Sequence, residues 1–163
     1  MKKVIILIAA FLVSVFVYAQ TSNTQVYNTE LDAMVQLKEA MVKAKAENKH
    51  IYMQIGGNWC PWCIRLHEFC DADAQIDSLL KADFVVIKAN YSKENKNAEL
   101  MKYLEFPNRF GFPVLVVIDA DGRRLHTQNS AYLEEGKGYS KEKIFEFLQA
   151  WSPKALKPEI YKF

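Results

Sequence analysis

The chain has 163 residues, of which 50% are hydrophobic and 25% are charged, a balance typical of one globular domain with one substantial core. Its 21 basic and 19 acidic residues are interspersed, so the sequence offers no basic surface for binding nucleic acid. The three cysteines, Cys60, Cys63 and Cys70, crowd into one short segment. This crowding excludes a small fold held together by disulfides and indicates thiol chemistry instead.

The beginning of the chain has the pattern of a secretory signal peptide. Two lysines near the start precede an apolar run over residues 4–17, and a small-residue cleavage site ends at Ala19. The run is shorter than the roughly 20 apolar residues that span a bilayer, which favours a cleaved signal, with an uncleaved membrane anchor as the alternative. We therefore predict a signal peptide at 1–19, a single domain at 20–163, and export, most simply to a bacterial periplasm.

Strand and helix patterns alternate along the predicted domain. Val26 and Tyr27 indicate a short edge strand, and apolar residues at helical spacing predict a helix from Leu31 to Ala44. Alternation of apolar and polar residues predicts a strand at 51–55, before two glycines. Further predicted elements are helices at 60–71, 74–80 and 98–104, strands at 84–87, 114–118 and 123–127, and a closing helix after Ser140. We expect the 84–87 strand to be central, and this order predicts an α/β fold with a central mixed sheet and helices on both faces.

The segment GGNWCPWC, residues 56–63, lies between a predicted strand and a predicted helix. Unpaired backbone N–H groups and the helix dipole favour a thiolate at Cys60, and Pro61 suits the first helical turn because it lacks an N–H. We predict that Cys60, at an exposed tip, attacks a disulfide. Cys63, one turn further on and more buried, then resolves the mixed disulfide. A purely structural disulfide is the alternative.

Trp59-Cys60-Pro61-Trp62-Cys63 resembles the active site of the thioredoxin superfamily. The segment RFGFPV at 109–114 resembles that family's loop with a cis proline beside the redox pair, and KAN at 88–90 is similar to the end of a thioredoxin strand. The resemblance covers about residues 26–151. It is nearest to small secreted thioredoxin-like proteins and to the periplasmic thioredoxin-like domains of bacterial disulfide reductases.

The resemblance implies a thioredoxin-like fold in a monomer that exchanges electrons with protein thiols and disulfides, without a bound cofactor. It also implies a cis Phe112–Pro113 bond that leaves the Phe112 backbone free to pair with an extended substrate; an ordinary trans proline is the alternative. Because an exported protein lies beyond cytosolic thioredoxin reductase, a reductive role would need a membrane-embedded electron donor. A peptide-binding module or holdase, which presents this groove without redox turnover, is the competing function.

Two positions depart from the thioredoxin pattern. Gln54 stands where thioredoxins have a buried acid six residues before the nucleophile, so the family's proton relay to the resolving cysteine is in doubt. Lys88 matches the lysine that accompanies that acid, with a snorkelling surface residue as the alternative. The dipeptide Pro61-Trp62 differs from thioredoxin's Gly-Pro and is compatible with reductase, oxidase, isomerase or cytochrome-maturation roles.

The remaining candidate residues surround the redox pair. We expect Trp59 to shield the thiolate and Trp62 to be exposed, and both to contact substrate. On one continuous helix Cys63 and Cys70 would lie about 10.5 Å apart along the axis, too far for a shared zinc ion or a disulfide. Cys70 is therefore predicted to be a small core residue, and His67 a partly exposed helix residue, with tuning of Cys63 as its alternative role.

Overall fold

The computed structural model describes residues 25–162. The α-helices in this range are α1 (Ala33–Glu47), α2 (Pro61–Ala72), α3 (Ala74–Asp83), α4 (Ala98–Tyr103) and α5 (Lys141–Ala150), and short 3-10 helices lie at Pro107–Phe110, Ser130–Leu133 and Pro158–Ile160. The strands are β1 (His50–Gly56), β2 (Phe84–Asn90), β3 (Val114–Ile118), β4 (Arg124–Asn129), β5 (Glu134–Glu135) and β6 (Gly138–Tyr139). The predicted signal peptide lies outside the described residues. Within them, no helix is long and apolar enough to cross a membrane.

The main sheet has the strand order β2-β1-β3-β4. Strand β1 pairs with β2 in parallel and with β3 antiparallel, and β4 returns antiparallel to β3. One hydrophobic cluster packs α1 and α4 against one face of the sheet, and a second packs α2, α3 and α5 against the other. The predicted mixed α/β sheet with helices on both faces is confirmed.

Three local predictions differ from the structure. Strand β2, expected to be central and buried on both faces, lies at the edge of the sheet among the described residues, and Val86 in its apolar run is 42% exposed. The apolar pattern does not show how many strands pair with it. The more polar residues that alternate along β1, Tyr52 and Gln54, do not face water. They are as buried as their apolar neighbours, since helices cover both faces of this central strand. Val26 and Tyr27 form no strand, and Tyr27 is fully buried beneath the redox pair.

Candidate active site

The redox motif lies where β1 ends and α2 begins. Cys60 has extended backbone geometry and is the N-cap residue of α2, and Pro61 occupies the first helical turn, as predicted. Cys60 and Cys63 form a disulfide with their Cα atoms 5.2 Å apart. The Cys63 backbone N–H donates to Cys60 Sγ at 3.2 Å, so the helix terminus directs a donor at this sulfur and can stabilise negative charge on it.

The two cysteines differ in burial in the predicted order, but Cys60 is not on an exposed tip. Cys60 is 5% exposed and Cys63 is 0% exposed. Both belong to a small cluster with Tyr27, against which Trp62 and Phe112 pack, and this cover removes most of the surface that a helix tip would otherwise present. Cys60 is therefore accessible only through a small opening, and Cys63 offers no surface at all.

The two tryptophans have the reverse of their expected exposures. Trp59 is 56% exposed, and its indole Nε1 donates to the Tyr91 carbonyl at 2.8 Å, which holds the ring at the surface. Trp62 is half-buried, because its ring meets the Tyr139 ring edge-on at 5.5 Å and the Arg65 guanidinium lies over it at 4.6 Å. Trp62 therefore covers the redox pair and Trp59 faces solvent.

The Phe112–Pro113 peptide bond is cis, as the resemblance implied. The Phe112 ring packs between Trp59, with ring centroids 5.5 Å apart, and Tyr91, at 4.8 Å. Strand β3 pairs with β1 only from Val114 onward, and within residues 25–162 the Phe112 backbone makes no backbone hydrogen bond. A free main-chain segment bordered by aromatic rings thus lies next to Cys60.

A hydrogen-bonded chain of three side chains runs below the disulfide. Lys88 Nζ donates to Gln54 Oε1 at 2.7 Å. Gln54 Nε2 donates to the Tyr27 hydroxyl at 2.6 Å and to the Cys63 carbonyl at 2.9 Å. Lys88 therefore binds the residue at the family's acid position instead of lying free at the surface, and burial lowers the pKa of its ammonium group.

The sequence interpretation missed Tyr27 and Asn58. Asn58 Oδ1 accepts from the Tyr27 N–H at 3.0 Å, and Asn58 Nδ2 donates to the Tyr27 carbonyl at 2.7 Å. The asparagine inside the motif therefore fixes the backbone of a tyrosine 31 residues earlier. Asn58 was visible as a polar residue within the motif, but no local pattern shows which backbone it binds.

Comparison with known proteins places the chain in a family. A family model of the thioredoxin-like domain matches residues 37–136, which is more than half of the chain and includes Cys60, Cys63 and Pro113. The chain belongs to the thioredoxin-like family. This thioredoxin-like protein is also similar to the solved disulphide isomerase of Xylella fastidiosa Temecula1, with 26% identity, a TM-score of 0.68, and coverage of 77% of this chain and 95% of that one.

Two curated relatives carry names from thiol chemistry. The thiol:disulfide interchange protein DsbD of Citrobacter koseri is 32% identical over 130 residues, which are 72% of this chain and 21% of that protein. The disulfide bond reductase DsbH of Chlamydia pneumoniae is 27% identical over 96 residues, which are 53% of this chain and 56% of that protein. The match therefore spans about a fifth of the first relative and little more than half of the second.

The other titratable residues of α2 lie apart from the exchange chemistry. Cys70 is a free thiol buried in the α2–α3–α5 cluster, as predicted. His67 Nδ1 lies 3.4 Å from Asp71 Oδ1 on the same helix, and partial burial lowers the pKa of its imidazole. His67 Nδ1 makes no hydrogen bond to Asp71 at that distance, and the side chain is partly exposed, as predicted.

Burial predicts that Cys70 does not react in the folded protein. Desolvation raises the pKa of its thiol to about 12, so the reactive thiolate is scarce at pH 8. We expect iodoacetamide to modify less than about 5% of the oxidised folded protein in an hour, and one thiol per chain after unfolding in guanidinium. Mass spectrometry counts the adducts, and rapid labelling of Cys70 in the folded state would contradict its placement.

Proposed function

We propose that this protein is an exported thiol–disulfide oxidoreductase that exchanges electrons with protein disulfides and dithiols through Cys60 and Cys63. The observation that carries the proposal is the position of the redox pair: the N-cap cysteine of α2 is bonded to a fully buried cysteine one turn later. Membership of the thioredoxin-like family, and similarity to proteins named for disulfide interchange, isomerase and reductase activity, support it.

The exchange proceeds in two balanced steps. In the reducing direction the Cys60 thiolate attacks one sulfur of a substrate disulfide; a Cys60–substrate bond forms, and the other substrate sulfur leaves as a thiolate. The Cys63 thiolate then attacks Cys60 Sγ, closing the protein disulfide and releasing the second substrate sulfur. Two electrons pass from the protein to the substrate, which takes up two protons, and the oxidising direction is the reverse.

The substrate lies across the surface formed by Trp59, Phe112 and Pro113. An extended segment can pair with the unpaired Phe112 backbone, as in strand addition, while the exposed Trp59 ring contacts its apolar side chains. Pro61 starts the helix, and the Trp62 ring packs against the redox pair. These roles give a peptide-binding groove that places a substrate disulfide next to Cys60.

The cellular setting belongs to the same proposal. The signal-like pattern at 1–19 supports export to a bacterial periplasm, with residues 20–163 working as a single monomeric domain. Outside the cytosol, a reductive role draws electrons from a membrane-embedded donor. The reduction potential of the Cys60–Cys63 couple decides the direction, because about 30 mV corresponds to about 1.4 kcal/mol for two electrons.

Trapping on a defined substrate tests this function. In a Cys63→Ser variant the serine hydroxyl cannot displace the substrate sulfur, so we expect Cys60 to remain bonded to insulin chains after acid quenching. A nonreducing gel followed by mass spectrometry identifies the adduct, and dithiothreitol should release it. The matched control, Cys60→Ser combined with Cys63→Ser, should form none. Absence of an adduct with the single variant would refute the assignment of the nucleophile.

A further inference from the structure

A negative charge on the buried Cys63 sulfur would be unstabilised by Gln54, the residue at the family's acid position. Cys63 is 0% exposed, yet it must carry negative charge when it attacks the mixed disulfide. A buried thiolate needs a hydrogen-bond donor or a proton acceptor close to its sulfur. Gln54 cannot accept a proton, and its amide N–H groups are directed at the Cys63 carbonyl and the Tyr27 hydroxyl.

The Tyr27 hydroxyl and the Cys63 sulfur border the same small space beside Gly56. A Cβ atom placed on Gly56 would lie 2.5 Å from Cys63 Sγ and 3.0 Å from the Tyr27 hydroxyl oxygen. Tyr27, Cys60 and Cys63 also form one buried cluster. Glycine at this position therefore leaves a space that the hydroxyl and the sulfur both border and that a larger side chain would fill.

The neighbouring hydrogen bonds determine which way the Tyr27 hydroxyl must act. Lys88 is only a donor, so its bond to Gln54 Oε1 fixes the amide with Nε2 toward Tyr27. The phenol oxygen accepts that N–H, and its own proton stays available for an acceptor. Burial raises the pKa of the Tyr27 phenol well above its usual range, so the proton is retained at neutral pH.

Tyr27 is also held rigidly at this place. Its backbone N–H and carbonyl both bind the Asn58 side chain, two residues before Cys60. Tyr27 precedes residues 37–136, which match the thioredoxin-like family model, so the phenol comes from a segment that the matched domain does not include. Because Tyr27 is already held in place, forming a further hydrogen bond from its hydroxyl costs little conformational entropy.

We propose that the Tyr27 hydroxyl donates a hydrogen bond to Cys63 Sγ once the disulfide is open, and stabilises the thiolate that resolves the mixed disulfide. This inference rests on the proposed function. In the resolving step the Cys63–Cys60 bond forms, the Cys60–substrate bond breaks, and the substrate sulfur leaves with the electron pair. The phenol keeps its proton throughout, and the Cys63 proton is taken up by the substrate thiolate that the first step releases.

A Tyr27→Phe variant removes this donor and keeps the ring. We expect resolution to slow about tenfold at pH 7, and its half-maximal rate to move about one pH unit upward, because a thiolate without its donor forms less readily. Attack by Cys60 should change less than about twofold. Rapid mixing of the reduced protein with glutathione disulfide, acid quenching and mass spectrometry measure both steps.

Two further proteins separate thiolate stabilisation from a loss of packing. Tyr103→Phe is the control for the loss of a tyrosine hydroxyl elsewhere in the fold, because the Tyr103 hydroxyl donates to the Gly122 carbonyl and has no contact with the redox pair; both steps should keep their rates. Replacing Tyr27 by 3-fluorotyrosine keeps the hydroxyl but makes it a stronger donor, so the pH profile of resolution should move downward. This protein provides the test even if Tyr27→Phe does not fold.

The outcomes are distinguishable. If the unaltered protein forms no mixed disulfide with glutathione, the proposed function fails, and this inference fails with it. If the mixed disulfide forms and resolves with one pH profile in the unaltered, Tyr27→Phe and 3-fluorotyrosine proteins, only the role of Tyr27 is overturned. Equal slowing of both steps in Tyr27→Phe also contradicts it, because the hydroxyl is assigned to Cys63 alone.

Discussion

Replacing Cys60 with serine is expected to lower the rate of disulfide exchange by about a thousandfold or more, because a hydroxyl is a far weaker nucleophile than a thiolate at neutral pH. Cys60 keeps a small exposed fraction and receives the Cys63 N–H, whereas Cys63 has no surface through which a protein disulfide could reach it. Cys63 therefore cannot replace Cys60 in the first step. Insulin reduction with dithiothreitol as the electron source measures the rate.

The matched control for this prediction is Cys70→Ala, which removes the remaining thiol of the same helix. Cys70 lies in the α2–α3–α5 cluster and takes no part in the exchange, so at least about half of the activity should remain, with a modest loss of stability. Full activity of Cys60→Ser would contradict the assignment of the nucleophile. Full biological activity of a Cys60→Ala and Cys63→Ala double variant would instead favour the holdase function.

Gly56→Ala should lower the free energy of unfolding of the oxidised protein by about 2–3 kcal/mol. The added methyl group would lie 2.5 Å from Cys63 Sγ and 3.0 Å from the Tyr27 hydroxyl. Neither atom is the end of a flexible chain: the sulfur is held by the disulfide, and Tyr27 is held by Asn58 and Gln54. Denaturant unfolding under nonreducing conditions measures the change.

Gly138→Ala is the control for that substitution. Gly138 also belongs to a strand, but nothing lies within 4 Å of the position its Cβ would take. We expect the free energy of unfolding to change by less than about 0.5 kcal/mol, since the alanine meets no neighbour. Equal free energies of unfolding for the two variants would contradict the prediction, because they would show that the space beside Cys63 can hold a methyl group.

The sequence predicted the elements that depend on local patterns. The apolar run 114–118 forms β3, as predicted. Helix α2 begins at Pro61 with Cys60 as its N-cap, where the motif predicted a helix start. The prediction for β2 was wrong about its place in the sheet. Most apolar side chains of β2 pack against the helices, but Val86 is 42% exposed, and the side-chain pattern does not show which strands are hydrogen-bonded to β2.

The errors at the site came from contacts between distant segments. Contacts with the Tyr91 carbonyl and the Tyr139 ring, far along the chain, help to decide which of Trp59 and Trp62 is exposed. Valine and tyrosine side by side favour a strand, so the sequence predicts one at Val26 and Tyr27. The position of Tyr27 in the structure depends on hydrogen bonds with Gln54 and Asn58. The sequence around Gln54 and Asn58 gives no sign that either residue binds Tyr27.

One atom, Cys60 Sγ, terminates a helix and also changes its bonding in the reaction. As the capping acceptor for the Cys63 amide, it completes the first turn of α2. A change from a disulfide sulfur to an anion strengthens that acceptor, so the arrival of electrons and the ordering of the turn are thermodynamically linked. The rate of amide hydrogen exchange at Cys63 should therefore report whether the Cys60–Cys63 pair is oxidised or reduced, with slower exchange in the reduced protein.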